Sequence, residues 1–234
     1  MTQITHRFVE TNGIRMHIAE QGIGPLVLLL HGFPEIWYSW RHQFATLADA
    51  GYHVVAPDLR GYGETDRPTE SEHYTQLHLV RDVIGLLDVL GEETAVVVGH
   101  DWGSTLSWNT ALLRPDRVRS LIALSVPYYP RGPVSRLTAA RSALGDGFYM
   151  NYFQRLGVAE AEFKRDIRTT IRKFLYAFSG DVQQSEQVAL VVPEGQGMLD
   201  HILDPQVLPT WLTEADITYY ATTLEWTGFI GGFN

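Results

Sequence analysis

The sequence predicts an α/β fold: a mostly parallel sheet covered by helices, with a separate helical cap. Three observations predict it. Short apolar runs too brief for helices alternate with segments whose apolar residues recur at helical spacing. Glycines close those helical segments at Gly51 and Gly91. The alternation then stops at the proline-rich stretch Pro127-Tyr128-Tyr129-Pro130-Arg131-Gly132-Pro133, after which the pattern is helical.

Arg7 to Glu10 and Ile14 to Glu20 flank Thr11-Asn12-Gly13, a hairpin signal. Leu26 to Leu30 is a continuous apolar run, as in a strand buried on both faces. Trp40, Phe44, Leu47 and Ala48 mark the first helix, and His53 to Pro57 the next buried strand. Leu77, Val80, Val83, Ile84, Leu87 and Leu90 mark a second helix face. Ala95 to Gly99 is a third buried strand, Leu106 to Leu113 a helix ended by Pro115, and Val118 to Leu124 a fourth buried strand. Beyond the break, Phe163, Ile167, Ile171, Phe174, Leu175 and Phe178 form one apolar face, and Thr213-Glu214-Ala215-Asp216 reads as a capping box. The expected division is a core over 1–127, a helical cap over 128–228, and the start of a return to the core over 229–234.

Composition narrows the function. A net charge of −9 lacks the basic footprint of a nucleic-acid binder and disfavours docking on an anionic membrane. With no cysteine there is no disulfide, thiolate nucleophile or zinc-thiolate site. The N-terminus carries no apolar signal region, and the run Leu26 to Leu30 is far too short to span a bilayer. A cytoplasmic protein acting on a small neutral molecule is expected, with no cofactor and no metal. Homo-oligomerisation is left open.

The chemistry concentrates in two segments. Gly99-His100-Asp101-Trp102-Gly103-Ser104 follows a buried strand and opens a helix, the context of a nucleophile elbow. Small residues at 99, 103 and 104 suit so tight a turn, and Asp101 occupies the raised position. The bland alternative is that Asp101 merely caps the helix. His31-Gly32-Phe33-Pro34 follows the first buried strand. Its Phe33 N–H, with that of Trp102, would form a two-donor oxyanion hole, and a cis Pro34 would suit the turn. His31, Gly32, Pro34, Gly99, His100 and Gly103 are the expected supporting residues.

These motifs, with Glu35, Trp37-Tyr38-Ser39-Trp40-Arg41, Asp58-Leu59-Arg60-Gly61-Tyr62-Gly63, Tyr152-Phe153-Gln154 and Gly157-Val158-Ala159-Glu160-Ala161-Glu162, resemble the soluble epoxide hydrolases of the α/β-hydrolase superfamily. The resemblance implies Asp101 as nucleophile and Tyr149 as a proton donor to the epoxide oxygen, with a small epoxide and water as substrates. Tyr152 lies closer to the Phe153-Gln154 pair and is given a packing role. The resemblance also implies a second lid tyrosine, a relay acid and a catalytic histidine that none of the nine histidines matches. The sequence is therefore expected to be the N-terminal part of a longer enzyme, incomplete for turnover by itself.

Two other readings stand beside this one. A haloalkane or haloacid dehalogenase of the same fold also attacks saturated carbon with an elbow aspartate. An inactive or ligand-binding fragment would need no histidine. A serine esterase is disfavoured, because Ser104 stands three residues beyond the elbow position.

Overall fold

A computed structural model describes residues 3–182 and 190–233. The chain forms two compact units, dividing between Tyr128 and Tyr129.

The first unit is built on a six-stranded sheet. Strands β1 (Thr5–Thr11) and β2 (Ile14–Gln21) form the expected antiparallel hairpin, closing at the pair Thr11–Ile14. Its turn places Asn12 at φ 46° and Gly13 at φ 76°, the two positive angles that favour Asn-Gly in tight hairpins. Strands β3 (Leu26–Leu30), β4 (His53–Pro57), β5 (Ala95–His100) and β6 (Val118–Leu124) follow, in the order β1-β2-β4-β3-β5-β6. β2 meets β4 antiparallel, while β4, β3, β5 and β6 run parallel. All five residues of β3 are buried. Successive side chains point to opposite faces, so the sheet is covered on both sides at its centre.

Helix α1 (Arg41–Asp49) packs on β2 and β4, and α2 (Gln76–Leu90) on β1. Helix α3 (Trp102–Leu113) packs on α2 and lies against β3, β5 and β6. The α2 face is close to that expected: Val80, Val83, Ile84 and Leu87 are buried, whereas Leu77 is exposed. β6 differs from expectation. It is not a buried strand, and Ile122 and Leu124 are 48% and 42% exposed. It pairs with β5 on one side and, among the described residues, with no strand on the other. An apolar sequence run cannot reveal that a strand has a single neighbour.

A buried ion pair ties the hairpin to α2. Arg60 donates from Nε and Nη2 to the two carboxylate oxygens of Asp82 at 2.8 and 2.6 Å. Asn12, from the hairpin turn, donates to Asp82 Oδ1 at 2.7 Å. Both charged side chains are only 3% exposed. Removing one partner strands the other charge in a poorly solvated site. Asp82→Ala is therefore expected to cost about 3–5 kcal/mol in urea unfolding, and a loss below about 1 kcal/mol, the range of an exposed pair, would show that Arg60 escapes to water.

The second unit is helical. Its elements are α4 (Arg136–Leu144), α5 (Tyr149–Phe153), α6 (Val158–Lys164), α7 (Ile167–Ala177), α8 (Glu214–Thr227) and α9 (Ile230–Phe233). The expected single face from Phe163 to Phe178 is split between α6 and α7, because Asp166 leaves the helix and caps α7 by accepting from Thr169 N–H at 3.0 Å. Phe163, Ile171 and Phe174 are buried, whereas Phe178 is exposed. The capping box is present, with Thr213 and Asp216 bonded reciprocally at the start of α8. Of the segment expected to begin a return to the core, residues 229–233 belong to this unit. Phe229 and Phe233 lie 5.6 and 5.4 Å, ring to ring, from Phe163, and burial of these aromatic rings holds the segment there.

Candidate active site

The elbow forms where β5 ends and α3 begins. Asp101 sits between them at φ 52°, ψ −117°, a conformation that costs a non-glycine residue on the order of 1–3 kcal/mol. The turn closes only because its neighbours lack side chains. A Cβ on Gly103 would collide with the carbonyl of Leu30 and lie 2.5 Å from that of His31. A Cβ on Gly32 would collide with Asp101, 2.7 Å from Oδ1 and 2.9 Å from Cγ. Gly99 is similarly pressed against the Gly103 carbonyl. The loop after β3 and the first turn of α3 thus touch backbone to backbone, with the Asp101 carboxylate between them.

Asp101 does not cap the helix, for its side chain makes no capping bond to α3. Oδ1 accepts from the Phe33 N–H at 2.9 Å. Of the two expected oxyanion donors, Phe33 hydrogen-bonds this group, and the Trp102 N–H next to it favours the charged form. Burial raises the Asp101 pKa above the ordinary aspartate range, although the Phe33 and Trp102 N–H groups and the nearby His100 oppose the shift.

The Phe33 loop is held from beneath. The Phe33–Pro34 peptide is cis, and the Glu35 N–H closes the turn onto the Gly32 carbonyl at 2.9 Å. His31 is fully buried, and burial lowers its pKa. Its Nε2 accepts from the Leu59 N–H at 3.0 Å, so that nitrogen carries the lone pair. The proton is then on Nδ1, which donates to the Gly32 carbonyl at 2.9 Å. His31 is a neutral staple between two loops.

Glu35 is a site residue that the sequence reading passed over, although it completes the run His31 to Glu35. Its Oε2 accepts from the Gly32 N–H at 3.3 Å and from His100 Nδ1 at 3.0 Å. Burial pushes the Glu35 carboxyl upward, but the hydrogen bond and charge of His100 prevail and lower it. The same bond raises the His100 pKa against burial. His31 and His100 are thus both engaged in shaping the site, and neither hydrogen-bonds Asp101.

Tyr149 belongs to the second unit, at the first position of α5. It is half-buried, with its N–H donating to the Leu190 carbonyl at 2.8 Å and its ring edge-on to Phe153 at 5.6 Å. Tyr152 is buried, and its hydroxyl donates to Glu162 Oε2 at 2.6 Å. Burial and then that carboxylate push its phenol well above the ordinary value. Among the described residues no group of three or more metal-ligating side chains is placed to hold a metal, and no helix is long and apolar enough to cross a membrane.

Comparison with known proteins points to one family. A family profile described as alpha/beta hydrolase fold matches residues 25–177. Epoxide hydrolase 3 of Siraitia grosvenorii is 48% identical over all of this chain and 72% of its own length. Epoxide hydrolase A of Mycobacterium tuberculosis is 45% identical over 98% of this chain and 72% of its own. The crystal structure of epoxide hydrolase A from Mycobacterium thermoresistibile superposes with a TM-score of 0.93 at 43% identity, covering 99% of this chain and 73% of that one. With an aspartate raised on the elbow and whole-chain similarity of this order, the protein belongs to the epoxide hydrolases of the α/β-hydrolase superfamily.

Proposed function

We propose that the protein opens a small-molecule epoxide to a vicinal diol through an ester on Asp101. The observation that carries this reading is the half-buried Asp101 carboxylate at the elbow, accepting the Phe33 N–H at 2.9 Å. A carboxylate needs no base to become a nucleophile. One Asp101 oxygen attacks a ring carbon, the carbon–oxygen bond of the strained ring breaks, and its electron pair goes to the departing oxygen. The Tyr149 phenol gives that oxygen its proton, because a phenol is still protonated at neutral pH.

Water then attacks the carbonyl carbon of the Asp101 ester. The negative charge develops on the aspartate's own oxygen, where the Phe33 and Trp102 N–H groups would bind it. The intermediate collapses by releasing the diol, and Asp101 keeps one oxygen from water. This step needs a base to take the water proton, a role open to neither His31 nor His100 while they keep the bonds described above.

A single turnover in heavy-oxygen water tests the scheme. The peptide containing Asp101 is expected first to carry the mass of the epoxide, and then to gain one heavy oxygen when the ester is cleaved. Diol formation without either mass change would mean direct attack of water on the epoxide. Chloride release from a haloalkane or haloacid, with no adduct from any epoxide, would favour the dehalogenase reading instead.

A further inference from the structure

The nucleophile elbow and the end of β6 share one carbonyl group. The Asp101 N–H donates to the Leu124 carbonyl at 3.3 Å, carrying the β5–β6 ladder one residue past the pair His100–Leu124. The same carbonyl accepts from the Val126 N–H at 2.9 Å. That second bond closes a three-residue turn about Ser125, which sits at φ 72°. A positive φ is strained for serine, so something outside the turn must hold it.

Helix α3 supplies the restraint. Ser104 is fully buried and donates its hydroxyl to the Val126 carbonyl at 2.7 Å. The Trp108 indole N–H donates to the same oxygen at 3.3 Å. The Trp108 ring also packs on Tyr128, 5.5 Å between centres. The Ser104 N–H returns to the Asp101 carbonyl at 3.0 Å. The bonds form a closed circuit: Asp101 to Leu124, through the Ser125 turn to Val126, across to Ser104, and back to Asp101. The circuit joins two residues with unfavourable backbone angles, Asp101 and Ser125.

Ser104 stands apart from the other buried hydroxyls of α3. Ser107 and Thr110 donate to carbonyls one turn back in their own helix, Gly103 and Leu106. Ser104 instead sends its hydroxyl out of the helix to the segment after β6. Two side-chain donors on successive turns of α3 thus converge on one carbonyl oxygen that is not in any strand.

We propose that Ser104 and Trp108 are positioning residues for the nucleophile. They clamp the turn at Ser125, and the Leu124 carbonyl of that turn holds the Asp101 amide and so sets the rotation of the elbow. Neither side chain needs to touch substrate. The rate effect rests on the reaction proposed above; the backbone coupling does not.

The test compares the full chain with Ser104→Ala, Trp108→Phe and the double variant. Amide hydrogen exchange at Asp101 is expected to quicken at least about tenfold in the double variant, while protection in β3 is unchanged. The rate of ester formation at saturating epoxide is expected to fall on the order of 10- to 100-fold, with little change in the concentration giving half the maximal rate. Unchanged exchange at Asp101 would overturn the proposal, as would faster exchange with an unchanged rate. Exchange quickened equally in β3 would also overturn it, leaving an ordinary structural role. Should the double variant not fold, Trp108→Phe and Ser104→Cys carry the same comparison. If the unaltered protein forms no ester with any epoxide, the proposed reaction fails, and exchange at Asp101 alone decides whether the clamp exists.

Discussion

Asp101→Asn is expected to abolish ester formation with epoxides, lowering its rate by about 10⁴-fold or more. The amide has nearly the same shape and still presents an oxygen to the Phe33 and Trp102 N–H groups, but it is a poor nucleophile. The fold should survive, and stability at neutral pH should be equal or higher. The sign follows from the raised pKa of Asp101. A carboxyl group that binds its proton more tightly when folded weakens the fold once it is ionised, and this cost disappears as pH falls through the folded pKa. The neutral amide avoids that cost at every pH. For the same reason the rate of ester formation should fall with acid, at a midpoint above the ordinary aspartate value of about 3.9. Thermal unfolding and quenched-flow mass spectrometry across pH 3 to about 8 would check both signs. A variant that keeps the native rate of adduct formation would show that another residue is the nucleophile.

Gly32→Ala should have the second largest effect. Its new methyl group would lie 2.7 Å from Asp101 Oδ1 and 2.9 Å from Cγ, closer than carbon approaches either atom. Something must shift, and the neighbour is the nucleophile itself rather than the end of a flexible chain. Displacing the carboxylate or the Phe33 N–H by about 1 Å is enough to cost on the order of 100-fold in rate. The added strain should also destabilise the protein by roughly 1–3 kcal/mol. Measuring ester formation well below the unfolding temperature separates the two effects. A normal rate in Gly32→Ala would mean that the loop after β3 can retreat without moving the Phe33 N–H.

Much of this site was legible in the sequence because it is locally encoded. An elbow needs a strand before it, a helix after it, and small residues beside the raised side chain; Ala95 to Leu113 shows all three in nineteen consecutive residues. The hairpin turn and the α8 capping box were readable for the same reason, since Asn12-Gly13 and Thr213 to Asp216 act through neighbours in the chain. The misreadings have the opposite character. β6 has the apolar residues of a buried strand, yet its burial depends on how many strands flank it. Phe229 and Phe233 gave no local sign that they would pack on Phe163. Glu35 was read as part of a motif but not as a site residue, because its partner His100 is 65 residues away.

Local pattern along the chain is enough to put a carboxylate at the elbow, to place two backbone donors near it in the pattern, and to predict a mainly parallel α/β core. The protonation and hydrogen bonding of those groups follow instead from contacts between distant segments. Burial against the loop after β3 raises the Asp101 pKa, the Leu59 N–H fixes the His31 proton on Nδ1, and Val126 draws Ser104 away from its own helix. Each of these depends on distance and solvent exclusion between segments far apart in the chain, and spacing along a sequence carries neither.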